Sequence, residues 1–193
     1  MAINHSQQNI GEALDVFFKQ YNLGEEGGLY EDWAWLDFKF FRLPIPNTAS
    51  RKRALIYHDI HHLVTGYKSD LQGEAEIGAW EISSGCGDFT AAWVLDTGSF
   101  LMGACFFPLK TFRAFMRGKR TLNLYNNNAY TKEQLRAMQI GEIQKILLLD
   151  IEHNQPIKAT EVFSFIKWFI VAGLTWGLPF LFLFAFVLYT VFK

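Results

Sequence analysis

Residues 57–80 read YHDIHHLVTGYKSDLQGEAEIGAW, and how this stretch divides decides the architecture. His58, His61 and His62 fall within five positions, Gly66 and Gly73 bracket a polar link, and Glu74, Glu76, Trp80 and Glu81 follow. The pattern predicts a helix over 51–64 ending at Thr65-Gly66. A second helix then opens at Ser69-Asp70-Leu71-Gln72, which resembles a capping box. On the first helix His58 and His62 are four apart and Asp59 and His62 three apart, so all three can project toward one side. Antiparallel packing of the two helices would return Glu74 to the same place. Two imidazoles and two carboxylates suit zinc, ferrous iron or manganese, and spacing does not choose among them. His61, three from His58, can replace a ligand or act as an outer donor. Glu76 and Glu81 read as solvent-facing or structural, although Glu81 shares the face of Glu74. The competing reading is a wet, partly charged helix face without an ion.

Working outward, residues 7–22 place Ile10, Leu14, Phe17 and Phe18 at helical spacing. Residues 29–43 alternate partly like a strand through Trp33, Trp35 and Phe41 while tolerating a helix, and their type stays open. LPIPNTAS, with two prolines followed by Asn47 and Ser50, reads as a turn and helix cap. Beyond the second helix, residues 89–109 form an apolar segment that Asp96 and a glycine-serine centre mark as buried or lipid-lining and not as a membrane span. Residues 110–120 carry five cations with Phe112, Phe115 and Met116 interleaved, a composition that can lie on anionic headgroups. After an asparagine-rich loop, Thr131 and Gln134 open one long helix over 131–150 that buries Leu135, Met138, Ile143, Ile146 and Leu147. Strand signals are too few for a sheet-based fold, so an all-α domain over 1–157 is expected.

From Trp168 to Phe192 the chain is uncharged, and at about 1.5 Å per residue such a helix exceeds a hydrocarbon core of roughly 30 Å. Residues 158–193 are therefore expected to form a C-terminal transmembrane anchor, kinked at Pro179. Lys158 and Lys167 on one side against Lys193 on the other favour a domain on the cytoplasmic face. The N-terminus lacks the features of a signal or transit peptide.

Composition agrees with a lipid environment. Half of the 193 residues are hydrophobic and 19 are Phe, while a net charge of −1 gives no field for nucleic acid. Cys86 and Cys105 read as reduced core thiols.

The pattern His58-Asp59-Ile60-His61-His62, then eleven residues, then Glu74, resembles the signature of the Coq-four family of ubiquinone (coenzyme Q) biosynthesis proteins. LVTGYKSDLQGEAEIGAWE is similar to that family in its glycine-containing link and G-E pair. The close resemblance covers residues 40–85. It implies an all-helical, membrane-associated protein with a metal, zinc first among the choices, held by His58, Asp59, His62 and Glu74, and a hydrophobic groove for a polyprenyl lipid. It further implies removal of the ring carboxyl group of a polyprenylated benzoate, with a hydroxyl replacing it, and a role beside other quinone-biosynthesis proteins; a homo-oligomer stays open. The family's members are generally peripheral, whereas this chain carries its own span.

Three rivals remain. The H-x-x-H-H box of membrane di-iron enzymes needs further boxes, and only His5 and His153 remain to supply them. An HD-type hydrolase would use His58-Asp59 with His5 and an aspartate such as Asp88 or Asp96. A non-catalytic lipid-binding scaffold would use the same groove and metal, and turnover on a lipid precursor separates it from an enzyme.

Overall fold

The computed structural model describes residues 5–38, 41–126, 130–151 and 155–192. Asn127 and Asn128 of the asparagine-rich loop, His153 and Lys193 lie outside them. The chain is mostly helical, as expected, with one hairpin. Helix α1 (Ile10–Tyr21) begins at Asn9, whose side chain accepts the Gly11 N–H at 2.8 Å. It buries Ile10, Leu14, Phe17 and Phe18, the face its spacing marks.

The stretch left open forms antiparallel strands β1 (Trp33–Phe38) and β2 (Phe41–Pro46), paired from Trp33 with Pro46 to Phe38 with Phe41. Pro44 and Pro46, read above as a turn, therefore lie in a strand. A two-stranded ladder leaves outward N–H positions unpaired, where proline removes nothing.

Helices α2 (Ala49–Thr65), α3 (Leu71–Ser84), α4 (Thr90–Phe106) and α5 (Pro108–Gly118) follow. Helix α3 is the centre, packed on α4 and α5. Its seam with α4 is built of small residues: a Cβ added to Gly78 would meet Ser99 Cβ at 2.9 Å, and one on Gly103 would meet Ala75 Cβ at 2.6 Å. Small residues one turn apart let helix backbones approach closely, as between helices in membranes. On the other side Trp80, fully buried, donates its indole N–H to Thr121 at 2.8 Å. Cys86 is a buried free thiol as expected, but Cys105 is exposed.

The single helix expected over 131–150 is two: α6 (Lys132–Ala137) and α7 (Ile140–Ile146). The Thr131–Gln134 capping box forms. At Met138 the backbone turns extended, because the Ile10 N–H donates to the Met138 carbonyl at 2.9 Å and the Ile140 N–H to that of Gln8 at 3.0 Å. Bonding to the N-terminal segment overrides local helix propensity, and Gln139 with Glu142 restarts the helix.

Helix α8 (Ala159–Val191) continues through Pro179, and Ala159–Leu178 is long and apolar enough to cross a membrane. It begins before Trp168, and its first half is attached to the domain. Phe165 packs edge-on against Phe100, Phe112 and Phe115, and Trp168 stacks on Trp93 with centroids 5.2 Å apart. Ala172 is fully buried, and Trp176 lies on Gly98 and donates to Thr97 at 3.2 Å. That bond gives Trp176, deep for an interface belt, a polar partner.

Candidate metal centre

Thr48 caps α2 by accepting the Arg51 N–H at 3.2 Å, and the helix stops where Gly66 turns left-handed at φ 79°. The link then folds back on the first turn of α3. A Cβ on Gly73 would overlap the Lys68 carbonyl, so the approach requires glycine. The cap of α3 is Asp70, which accepts the Gly73 N–H at 2.8 Å, and not Ser69 as the capping-box reading implied. Ser69 is thereby free to donate its hydroxyl to Glu74 Oε1 at 2.8 Å. Glu74 is turned toward α2. Along the pair α2 and α3 face each other in antiparallel order, His62 by Glu74 and His58 by Glu81, while the closest packing of α3 is on α4 and α5.

His58, His62 and Glu74 converge. The two Nε2 atoms are 3.2 Å apart, and the Glu74 oxygens lie 3.5 Å from that of His58 and 3.3 Å from that of His62. These three residues bring one ligand atom each to within 4.8 Å of one another and could hold a metal ion. The far nitrogens explain why. His62 Nδ1 lies 3.0 Å from the Tyr67 carbonyl, which can only accept, so Nδ1 carries a hydrogen and the neutral ring has its lone pair on Nε2. His58 Nδ1, 3.1 Å from Glu81, is fixed in the same way. Metal-ligating histidines are oriented by this kind of outer acceptor.

With both imidazoles neutral, two lone pairs and a carboxylate face one another with no hydrogen among them. Such a space calls for a cation, either a proton or a metal. In the metal-free chain the proton goes to His58: burial opposes it, but Glu81 and Glu74 outweigh burial and hold His58 well above its ordinary value. Burial likewise opposes the Glu74 carboxylate, yet His62 and His58 hold it well below the usual range.

Asp59 stands apart from the three converging atoms. It is buried, and its Oδ2 has no hydrogen-bond partner among the described residues. The backbone of Gly27 presses on it, so that a Cβ there would come within 2.7 Å of Oδ2. Burial pushes its carboxyl up to about 7, against the pull of His58 and His62. An orphaned buried carboxylate oxygen beside three converging donors suits a site made for a cation. The donor set fits a divalent ion.

Holding that carboxylate has a cost in the metal-free chain. A shift from 3.8 to about 7 is worth roughly 4 kcal/mol once the pH exceeds both values. Asp59→Asn is therefore expected to stabilise the metal-free protein at pH 8, by on the order of 1–3 kcal/mol since the amide stays buried. The gain should vanish at pH 4. Urea denaturation at the two pH values measures it, and equal effects at both would refute the assignment.

Glu81, read above as solvent-facing or structural, is fully buried and organises the site. Its oxygens accept from His58 and, at 2.6 Å, from His61 Nδ1. His61 Nε2 in turn accepts the Leu124 N–H at 2.9 Å, so His61 is an inner strut and not a ligand. Trp80 and Tyr125 stand edge-on against its ring, each 5.0 Å away. Asp96 lies beside Glu81, and a group of His58, Glu81 and Asp96 also has metal-compatible spacing. Glu81 already serves two imidazoles. Burial and the Glu81 charge push Asp96 well above the carboxylate range, and Cys86 Sγ lies 3.4 Å from its Oδ2. Two adjacent buried carboxyls with one charge between them make a hydrogen-bonded support.

The site is closed behind by Phe17, whose ring centroid is 5.5 Å from that of His62, and opens where the Glu74 side chain is 35% exposed. Two cavities lie against α5, one of about 480 Å³ that reaches Leu149, Ile151 and Ile157 and one of about 390 Å³ that reaches Phe165 and Phe169 of α8, and neither is lined by a residue of the histidine cluster.

Comparison with protein-family models, with curated proteins and with solved structures finds no match to the chain. The centre stands on its own geometry.

Proposed function

We propose that the chain is a membrane-anchored, metal-dependent protein of ubiquinone or related prenylquinone biosynthesis. It binds a polyprenylated aromatic precursor and acts at the ring position that carries the carboxyl group. The observation that carries this reading is the convergence of His58, His62 and Glu74 with both Nδ1 atoms committed to outer acceptors. The resemblance of His58-Asp59-Ile60-His61-His62 and Glu74 to the Coq-four signature supplies the substrate class, and α8 supplies a route to a substrate dissolved in lipid.

His58, His62 and Glu74 would hold the ion, with Asp59 beside them. Zinc suits the set, as do iron and manganese. A bound divalent ion would polarise a carboxylate or phenolate oxygen of the substrate. Glu81 and the Tyr67 carbonyl keep the two imidazoles in the ligating tautomer, and Ser69 steadies one oxygen of Glu74. Phe17 excludes water from behind His62. Three converging donors, with Asp59 apart, leave a position for substrate, which favours an enzyme over a scaffold with a saturated structural site.

Elemental analysis of detergent-purified protein tests the reading, with His62→Ala and Glu74→Ala alongside and co-purified lipids extracted. Near-stoichiometric metal in the wild type, lost in both variants, together with turnover of a prenylated hydroxybenzoate, is the expected result. Metal without turnover would support the scaffold. No metal after refilling with zinc, iron and manganese would end the proposal.

A further inference from the structure

The cavity of about 480 Å³ is lined by three cations, Arg113, Arg117 and Arg120, together with apolar residues including Met116, Leu149 and Ile157. Such a lining fits a ligand with a negative head and greasy flanks. Arg117 is already positioned: its guanidinium donates to the Thr65 carbonyl at 2.9 Å and lies over the Tyr67 ring, contacts that orient the charge without neutralising it. Arg120 pairs with Glu161 at 3.3 Å. Among the described residues no carboxylate forms an ion pair with Arg113 or Arg117, and Arg113 is exposed. Among the described residues that line the pocket the charged side chains are therefore all positive.

What lies next to it selects the ligand further. Phe112 lines this cavity and also the second one of about 390 Å³, whose other walls are Ala104, Pro108, Leu109, Phe165 and Phe169. That second cavity carries no charged side chain. The first reaches Ile157, two residues before α8 begins, and the second reaches Phe165 and Phe169 in the opening turns of α8. The cationic end sits where the apolar helix begins, and the uncharged end lies along it. Leu109 at 71% exposure and Phe163 at 70% continue the apolar surface.

We propose that Arg113 and Arg117, with Arg120 at the rim, bind the phosphate of an anionic phospholipid whose acyl chains lie in the groove between α5 and α8. Guanidinium groups suit phosphate because their planar donors match its oxygens. A soluble phosphate or an acidic peptide would use the arginines and leave the uncharged half empty. The site is separate from the histidine cluster, but Arg117 reaches it structurally, because the Thr65 carbonyl it holds belongs to the last turn of α2. A lipid seated there fixes the domain's tilt and height above the bilayer. The inference rests on α8 lying in that bilayer.

The test is native mass spectrometry of the full chain released from nanodiscs of equimolar phosphatidylcholine and phosphatidylglycerol. The wild type is expected to retain one phosphatidylglycerol in preference to phosphatidylcholine. Arg113→Glu should lower that retention at least about tenfold, and Arg113→Glu with Arg117→Gln further. Lys19→Glu, the same charge change on α1, should leave it intact. Millimolar glycerol phosphate should not displace the lipid. Equal retention of the two lipids, equal loss in Lys19→Glu, or displacement by glycerol phosphate would overturn the proposal. Flotation with phosphatidylcholine vesicles after an alkaline wash reports on α8 separately: insertion without phosphatidylglycerol selectivity removes the clamp alone, and failure to insert removes both. Metal content, read on the same samples, does not depend on either outcome.

Discussion

Alanine at position 81 is expected to destabilise the metal-free protein by about 3–5 kcal/mol, the cost of removing one partner from a buried ionic pair. Glu81 is fully buried and accepts from both His58 and His61. Its removal leaves the His61 N–H, enclosed by Trp80 and Tyr125, with no acceptor. It also deprives His58 of the carboxylate that favours its charged form. Glu81→Gln keeps the shape and one acceptor but loses the charge, and should cost about 1.5–3 kcal/mol. Urea denaturation in mild detergent, followed by tryptophan fluorescence, measures both. A loss below about 1 kcal/mol for the alanine variant would place Glu81 among ordinary side chains.

The pH dependence has a definite sign. Burial opposes the Glu81 carboxylate, but His58 and His61 hold it below its ordinary 4.5. Its contribution is therefore complete above 4.5 and is lost as the pH falls through the folded value. His58 is held above its ordinary 6.5, so its contribution is complete below 6.5 and is lost as the pH rises through the folded value. These two contributions are both complete between 4.5 and 6.5, and Glu81→Ala should flatten both of their limbs.

The converging side chains were readable because helical spacing carries them: His58 and His62 fall one turn apart, and Gly66, Asp70 and Gly73 supply the turn that returns Glu74. Glu81 was visible only as a position two turns beyond Glu74. Whether that face is buried depends on α4, which packs on α3 through Gly78 and Gly103, and on α5, which packs on it through Gly118, and no local pattern states that. His61 and Asp59 illustrate the same limit. Both sit in the histidine run, yet His61 became a strut because Leu124, far along the chain, offers it an N–H, and Asp59 was set apart under Gly27. The break at Met138 arose from bonding to Gln8 and Ile10, a tertiary bond that overrides a strong helical pattern. The hairpin was ambiguous because its prolines, turn signals by composition, sit harmlessly in a two-stranded ladder.

Zinc affinity is expected to rise by about tenfold per pH unit for each proton that the ion displaces, and the number displaced should change near pH 7. His58, charged in the metal-free chain, must release one proton to offer Nε2. Glu74 is already ionised and releases none. Asp59, with its carboxyl at about 7, gives up a second proton below that pH when a dication arrives beside it. Affinity should therefore climb toward about a hundredfold per unit below pH 7 and about tenfold per unit above it, until His58 deprotonates unaided. In Asp59→Asn the steeper limb should disappear. Glu81→Gln should move the upper limit to lower pH, because it removes the nearest charge that favours the imidazolium. Competition with a chelator of known pH dependence gives these slopes, and calorimetry in two buffers counts the protons. Cobalt(II) absorption then separates two roles for Asp59: a spectrum altered by Asp59→Asn makes it a ligand, and an unchanged one makes it a neighbouring charge. A flat profile from pH 6 to 8 would mean that the ion binds elsewhere, since an ion taken by His58 Nε2 displaces the proton that Glu81 and Glu74 favour on that imidazole.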